Sequence, residues 1–124
     1  MTGTRPHDLG LKTLRLPVGA YASILHRITG VLLVAAVGLG LALLHASLRD
    51  ARGFQAVAAA IRGPWGHVIG PLAAWAAAQH LYGGIRHLAQ DAGLGFGRGA
   101  SRATATAVLG LAALTGLWAV FAWP

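Results

Sequence analysis

The chain has 124 residues, of which 56% are hydrophobic and 10% charged, with a mean hydropathy of +0.61; a water-soluble domain of this size would need far more polar residues to cover its surface. Its formal charge of +7 comes from nine arginines and one lysine against Asp8, Asp50 and Asp91, and these cations sit between apolar runs, where membrane topology explains them better than nucleic acid does. There is no cysteine, which excludes iron–sulfur clusters, thiolate-ligated haem, zinc–thiolate sites and disulfides, and leaves only histidines and aspartates to hold a metal.

In chain order, the pattern predicts a single all-α membrane domain with three transmembrane helices. Residues 1–21 form an inner-face N-terminal segment and 22–48 the first membrane helix. An outer loop over 49–66, a second helix over 67–90, an inner loop over 91–102 and a third helix over 103–123 follow. Each apolar run reaches the ~20 residues that a helix needs to cross a hydrocarbon core, and helices keep every backbone hydrogen bond inside the segment. The first run follows a long mixed segment and exceeds a signal-peptide core, so it reads as an uncleaved span. Tyr21, Trp65, Trp118 and Trp123 fall near the ends of the runs, as interfacial aromatics do.

The cations set the orientation. Arg5, Lys12, Arg15, Arg27, Arg86, Arg98 and Arg102 lie on one side, and Arg49, Arg52 and Arg62 on the other, which predicts the N-terminus inside and the C-terminus outside. Between the first two spans, Phe54, Val57 and Ile61 recur at i, i+3 and i+7, the mark of a short amphipathic helix over Asp50 to Ile61 lying on the outer interface. This topology brings the start of the first span, SILHRITG (Ser23 to Gly30), to the same depth as the end of the second, HLYGGIRHLAQD (His80 to Asp91).

Ionisable residues in a membrane helix cost free energy, about 2.5 to 3.5 kcal/mol for a central Arg or Asp, and generally have a partner or a task. Arg27, Arg86, His87 and Asp91 lie near helix ends, where snorkelling to the headgroups is the plain alternative. His80 lies about 10 Å deeper than His87 at 1.5 Å per residue. Two readings fit it: a hydrogen bond to a neighbouring helix, or axial ligation of a haem. Gly84, one turn on and on the same face with Gly83 beside it, clears space for a flat macrocycle. Ser23, His26 and Arg27 share one helix face at i, i+3 and i+4, where they can hydrogen-bond a quinone carbonyl or pair with a haem propionate; an N-cap serine followed by snorkelling cations is the alternative. Asp91, one turn past His87 and near Arg86, can neutralise either or relay protons. His45 and His67 lie near the outer face without a small-residue face beside them, and His7 precedes the first span. The loose G-x-G-x-x-A within Gly93 to Ala100 follows a helix and not a strand, so it reads as an inner loop and not a nucleotide site.

Three features together resemble the cytochrome b membrane-anchor subunit of succinate dehydrogenase (succinate:quinone oxidoreductase) over nearly the whole chain. They are Arg5-Pro6 followed by Leu14 to Pro17, S-x-x-H-R-x-T-G over Ser23 to Gly30, and H-x-x-x-G-x-R-H-x-x-x-D over His80 to Asp91. The resemblance implies haem b with His80 as an axial ligand to its iron and Gly84 packing beside it. It implies His26 and Arg27 near the haem propionates, and Ser23 and Arg27 lining a site for ubiquinone or menaquinone. Arg86, His87 and Asp91 then belong to an interface network. It also implies a second small membrane-anchor subunit that shares the helical bundle and supplies the other haem ligand, an iron–sulfur subunit and a flavoprotein subunit on the inner face, and a bacterial cytoplasmic (inner) membrane. The stretch HDLGLKT departs from the longer Ser-Pro-His segment usual in the family. By itself such a subunit is not an enzyme; it passes electrons from succinate to quinone within the complex. The alternatives are the anchor of a quinol:fumarate reductase, and a haem-free proton-conducting or purely structural membrane subunit.

Overall fold

The computed structural model describes residues 16–124 and places most of them in four helices, α1 (Val18–Ser47), α2 (Ala51–Arg62), α3 (Pro64–Asp91) and α4 (Arg98–Ala122). The Arg5-Pro6 pair, His7, Asp8, Lys12, Leu14 and Arg15 lie outside the described residues. α1 has 30 residues, roughly 45 Å at 1.5 Å per residue. It starts at the residue after Pro17, a turn before the apolar run, because a helix continues past the hydrocarbon boundary wherever the backbone can stay paired.

α1 and α4 are long and apolar enough to cross a membrane, with mean hydropathies of 2.2 and 1.9 over their most apolar stretches. Only 6% of that stretch is buried in α1. A helix in the core of a soluble fold would hide its apolar side chains; here Val31, Val34 and Val37 all face outward, toward lipid or another chain. α3 has the length, 28 residues, but not that hydropathy, because Gln79, His80, Arg86, His87, Gln90 and Asp91 interrupt it. It is also the helix most enclosed by the others: it packs most extensively on α4, then on α1.

Small side chains set the helix spacing. Ala22, Ala76, Ala78, Ala105, Val108, Ala112 and Ala119 make up the buried apolar core, which lets backbones approach closely where no hydrophobic effect drives helices together. Pro71, buried within α3, has no N–H to donate to the carbonyl one turn back.

The connections are built from end groups. The Asp50 carboxylate accepts the Gly53 amide at 2.7 Å and caps α2, and Pro64 sits at the first position of α3, where its missing N–H is harmless. This α2 is the amphipathic helix that Phe54, Val57 and Ile61 predict. α3 ends in a Schellman turn: the Leu94 amide donates to the Ala89 carbonyl and the Gly93 amide to the Gln90 carbonyl, each at 2.9 Å, with Gly93 left-handed at φ 83°. The glycine-rich segment is therefore a helix stop and not a phosphate cradle. At the other end, the Trp123 indole lies against Gly70 with no room for a side chain there. Its Nε1–H donates to the Ile61 carbonyl at 3.0 Å, fastening the end of α4 to the α2–α3 corner.

Replacing Trp123 by Phe keeps a ring in the Gly70 slot but loses this hydrogen bond, with an expected cost of about 1 kcal/mol. Trp123→Ala empties the slot and costs more. Thermal unfolding of the detergent-solubilised protein checks the order; a Trp123→Phe variant as stable as the parent would mean that the indole N–H contributes nothing, and equal losses in both variants that the ring's packing does not.

Candidate functional site

The start of α1 and the end of α3 meet through three histidines. His26 and His80 stack with ring centroids 4.1 Å apart and planes 15° apart, and His87 lies 5.1 Å from His26 in a tilted arrangement. Residues separated by more than fifty positions therefore share one site, as the two motifs lead one to expect. Glycines make the approach possible. A Cβ on Gly83 would come within 3.0 Å of His26 Nδ1, and one on Gly30 within 3.1 Å of His80 Cε1. Gly84 is looser, 3.5 Å from His26 Cε1. The space that these glycines of α3 clear is thus filled in part by the His26 ring.

His80 Nδ1 lies 3.0 Å from the backbone carbonyl oxygen of His26. A carbonyl can only accept, so Nδ1 carries the proton and donates. In a neutral imidazole the lone pair then belongs to Nε2, which makes no hydrogen bond among the described residues. This is the arrangement of a metal-ligating histidine, whose other ring nitrogen donates to a carbonyl or carboxylate and so fixes tautomer and ring orientation. His26 Nδ1 is buried with no partner among the described residues, an unsatisfied polar atom beside that donor set. On this chemistry, one oriented imidazole nitrogen among half-buried rings and glycines, the residues suit an axial contact to a haem iron.

The other predicted residues divide. Ser23, Arg86 and His87 line one cleft of about 1080 Å³ between the starts of α1 and α4 and the end of α3, together with Gln90, Arg98 and Arg102. Arg27 is exposed and does not line it. It makes no hydrogen bond among the described residues, since the rotation that turns His26 toward α3 turns its neighbour away. Asp91 is exposed at the last position of α3 and forms no ion pair among the described residues. His45 and His67 are exposed, far along the helices from this cluster.

Arg86 differs most from a snorkelling end residue: it is 8% exposed. Its Nε–H donates to Thr104 Oγ1 at 3.2 Å, and its Nη2 donates to Ser101 Oγ at 3.1 Å and to the Ser101 carbonyl at 3.4 Å. α4 supplies these acceptors because its first turns carry Ser101 and Thr104. Asp91 follows Arg86 by five residues, about 140° around the helix, so the two do not share a face. Two buried polar residues have no role assigned from the sequence: Gln79, at 1% exposure, which lies outside the motifs, and Thr29, at 0%, which is the threonine of S-x-x-H-R-x-T-G. Their positions inside apolar runs were the physical clue, since an amide or hydroxyl there must find a partner within the bundle.

Comparison with known proteins identifies the family. The family model described as the succinate dehydrogenase/fumarate reductase transmembrane subunit matches residues 1–119. Over 93 residues the chain is 39% identical to the succinate dehydrogenase cytochrome b556 subunit of Paracoccus denitrificans, an alignment that covers 75% of this chain and 72% of that one.

The glycine contacts make a graded test. Gly83→Ala presses a methyl group on the His26 ring and is expected to destabilise the protein by about 1–3 kcal/mol. Gly84→Ala makes an ordinary contact and gains helix propensity of up to about 1 kcal/mol, so it should be neutral or stabilising. Thermal unfolding in detergent compares them, and equal tolerance of both would contradict the close packing of His26 on Gly83.

Proposed function

The chain belongs to the family of transmembrane subunits of succinate dehydrogenase and fumarate reductase, and from that premise we propose that it is the haem b-binding anchor that helps form a quinone-reduction site at the inner face of a bacterial cytoplasmic membrane. A subunit of this family is a membrane component of the complex and not its catalytic chain. In this reading α1, α3 and α4 cross the membrane, with the N-terminus inside and the C-terminus outside. The cations favour that orientation, and α3 tolerates its polar residues because α1 and α4 flank it. A second membrane-anchor subunit covers the outward apolar face of α1 and supplies the other haem ligand. An iron–sulfur subunit and a flavoprotein subunit dock on the inner face. The relative named as a succinate dehydrogenase subunit favours electron flow from succinate to quinone over the fumarate-reducing direction.

The observation that carries the haem assignment is the hydrogen bond from His80 Nδ1–H to the His26 carbonyl. It holds the ring in the tautomer that offers Nε2 to iron. Haem b, when bound, supplies a one-electron carrier whose potential depends on its axial ligands and their hydrogen bonds. His26 on α1 and Arg86 on α3 place an imidazole and a guanidinium near the inner end of the bundle, suited to carboxylates such as haem propionates. Ser23 presents a hydroxyl to the inner cleft, where it can donate to a quinone carbonyl. Arg27, exposed on α1, is a second donor for that quinone on the side of the helix turned toward partner subunits. Asp91, exposed at the end of α3, can exchange protons with the inner aqueous phase as a quinone is reduced.

Two measurements test the proposal. His80→Ala is expected to abolish or shift the reduced-minus-oxidised haem bands of the assembled complex, and an unchanged spectrum removes the ligand assignment. Ser23→Ala and Arg27→Ala are expected to lower quinone reduction by tenfold or more, about 1.4 kcal/mol of lost transition-state stabilisation, while succinate oxidation with an artificial dye acceptor persists. Equal loss of both activities would assign these residues to assembly instead.

A further inference from the structure

Thr29 is fully buried, at 0% exposure, and neither motif gives it a task. Its hydroxyl lies 2.7 Å from the Leu25 carbonyl and 3.0 Å from the His26 carbonyl. A hydroxyl has one proton to donate, so Thr29 divides it between two carbonyls, with the shorter contact to Leu25. The second of these is the same carbonyl oxygen that accepts the His80 Nδ1–H at 3.0 Å. That oxygen also stands in the helical ladder of α1, where the Gly30 amide is its i+4 donor. Three donors therefore converge on an acceptor with two lone pairs, in a site from which water is excluded at the hydroxyl.

We propose that Thr29 is a positioning residue that tunes the haem ligand: by taking part of the His26 carbonyl, its hydroxyl limits the strength of the hydrogen bond on His80 Nδ1. The inference rests on the reading of His80 as a haem ligand. A stronger N–H···O bond at Nδ1 makes the imidazole more electron-donating at Nε2, and a more basic ligand favours the ferric over the ferrous iron. Thr29 thereby weakens that bond and holds the haem potential higher than the His80–His26 pair alone would set it. The geometry also explains why the side chain is β-branched and hydroxylated at this depth. The hydroxyl bonds back along its own helix, a pattern open to Ser and Thr and closed to Val, while the methyl group fills the same volume in all but Ser.

The test is a redox titration of the haem in the purified, assembled complex carrying Thr29→Val, which keeps the shape and removes the hydroxyl, and Thr29→Ser, which keeps the hydroxyl. Thr29→Val is expected to lower the haem midpoint potential relative to the parent complex and to change the ferric haem's electron paramagnetic resonance g-values, while Thr29→Ser stays at the parent values. If Thr29→Val prevents assembly, Thr29→Ala removes the same hydroxyl in a smaller side chain and is expected to shift the potential in the same direction. A hydroxyl-free variant with the parent potential, a shift upward, or equal shifts in the Val and Ser variants would overturn the proposal. His80→Ala separates the two levels: if it leaves the haem bands intact, the ligand reading itself fails, whereas bands lost in His80→Ala with no shift in Thr29→Val refute the role of Thr29 alone.

Discussion

The contact on which the site depends is one hydrogen bond between helices, from the His80 ring to the His26 main chain. It joins α1 to α3 where neither helix has a large side chain in the way, because Gly30 lies under the His80 ring and Gly83 under the His26 ring. Each helix thus lends its glycine to the other's histidine. In water such a bond would add little. Between apolar helices the donor has few alternatives, and the geometry it imposes determines which ring nitrogen remains free.

Around that contact the bundle solves a second problem, the burial of a guanidinium. Arg86 sits one helical face away from the histidines and reaches α4, where Ser101 and Thr104 offer neutral acceptors. Hydrogen bonding of this kind reduces the desolvation cost of the cation but does not cancel its charge. It also explains why α4 begins several residues before its apolar run: the polar turns from Arg98 to Thr104 are the ones that face Arg86. The packing of α3 between α1 and α4 follows from the same need, since α3 carries two of the buried polar side chains, Gln79 and Arg86.

Much of this was legible in the residues. Apolar runs of membrane length specify helices with little ambiguity, and Phe54, Val57 and Ile61 specify the short amphipathic one. The topology brought S-x-x-H-R-x-T-G and H-x-x-x-G-x-R-H to one depth, but the stacking of His26 on His80 was not legible in them, since no second histidine of this chain was expected at the depth of His80. Direction around a helix was harder to read. Position near a helix end left Arg86 between snorkelling and an interface network, and acceptors on a helix fifteen and eighteen residues later decide its course, though no local pattern announces them. Gly84 was read as the glycine beside a haem; that its neighbour Gly83 makes the tight contact with His26 is set by the helix rotation. Thr29 stands in S-x-x-H-R-x-T-G, but the carbonyl that it shares was invisible for the same reason: two hydrogen bonds on one oxygen come from residues more than fifty positions apart.

The central claim is that His80 offers Nε2 to a haem iron while the His26 carbonyl holds Nδ1–H. The most direct measurement is chemical rescue: the complex carrying His80→Gly is titrated with imidazole, and the haem bands are followed in the reduced-minus-oxidised spectrum. Loss of the native spectrum in the variant and its saturable return with added imidazole is the predicted result. A native spectrum in the variant before any imidazole is added would contradict it.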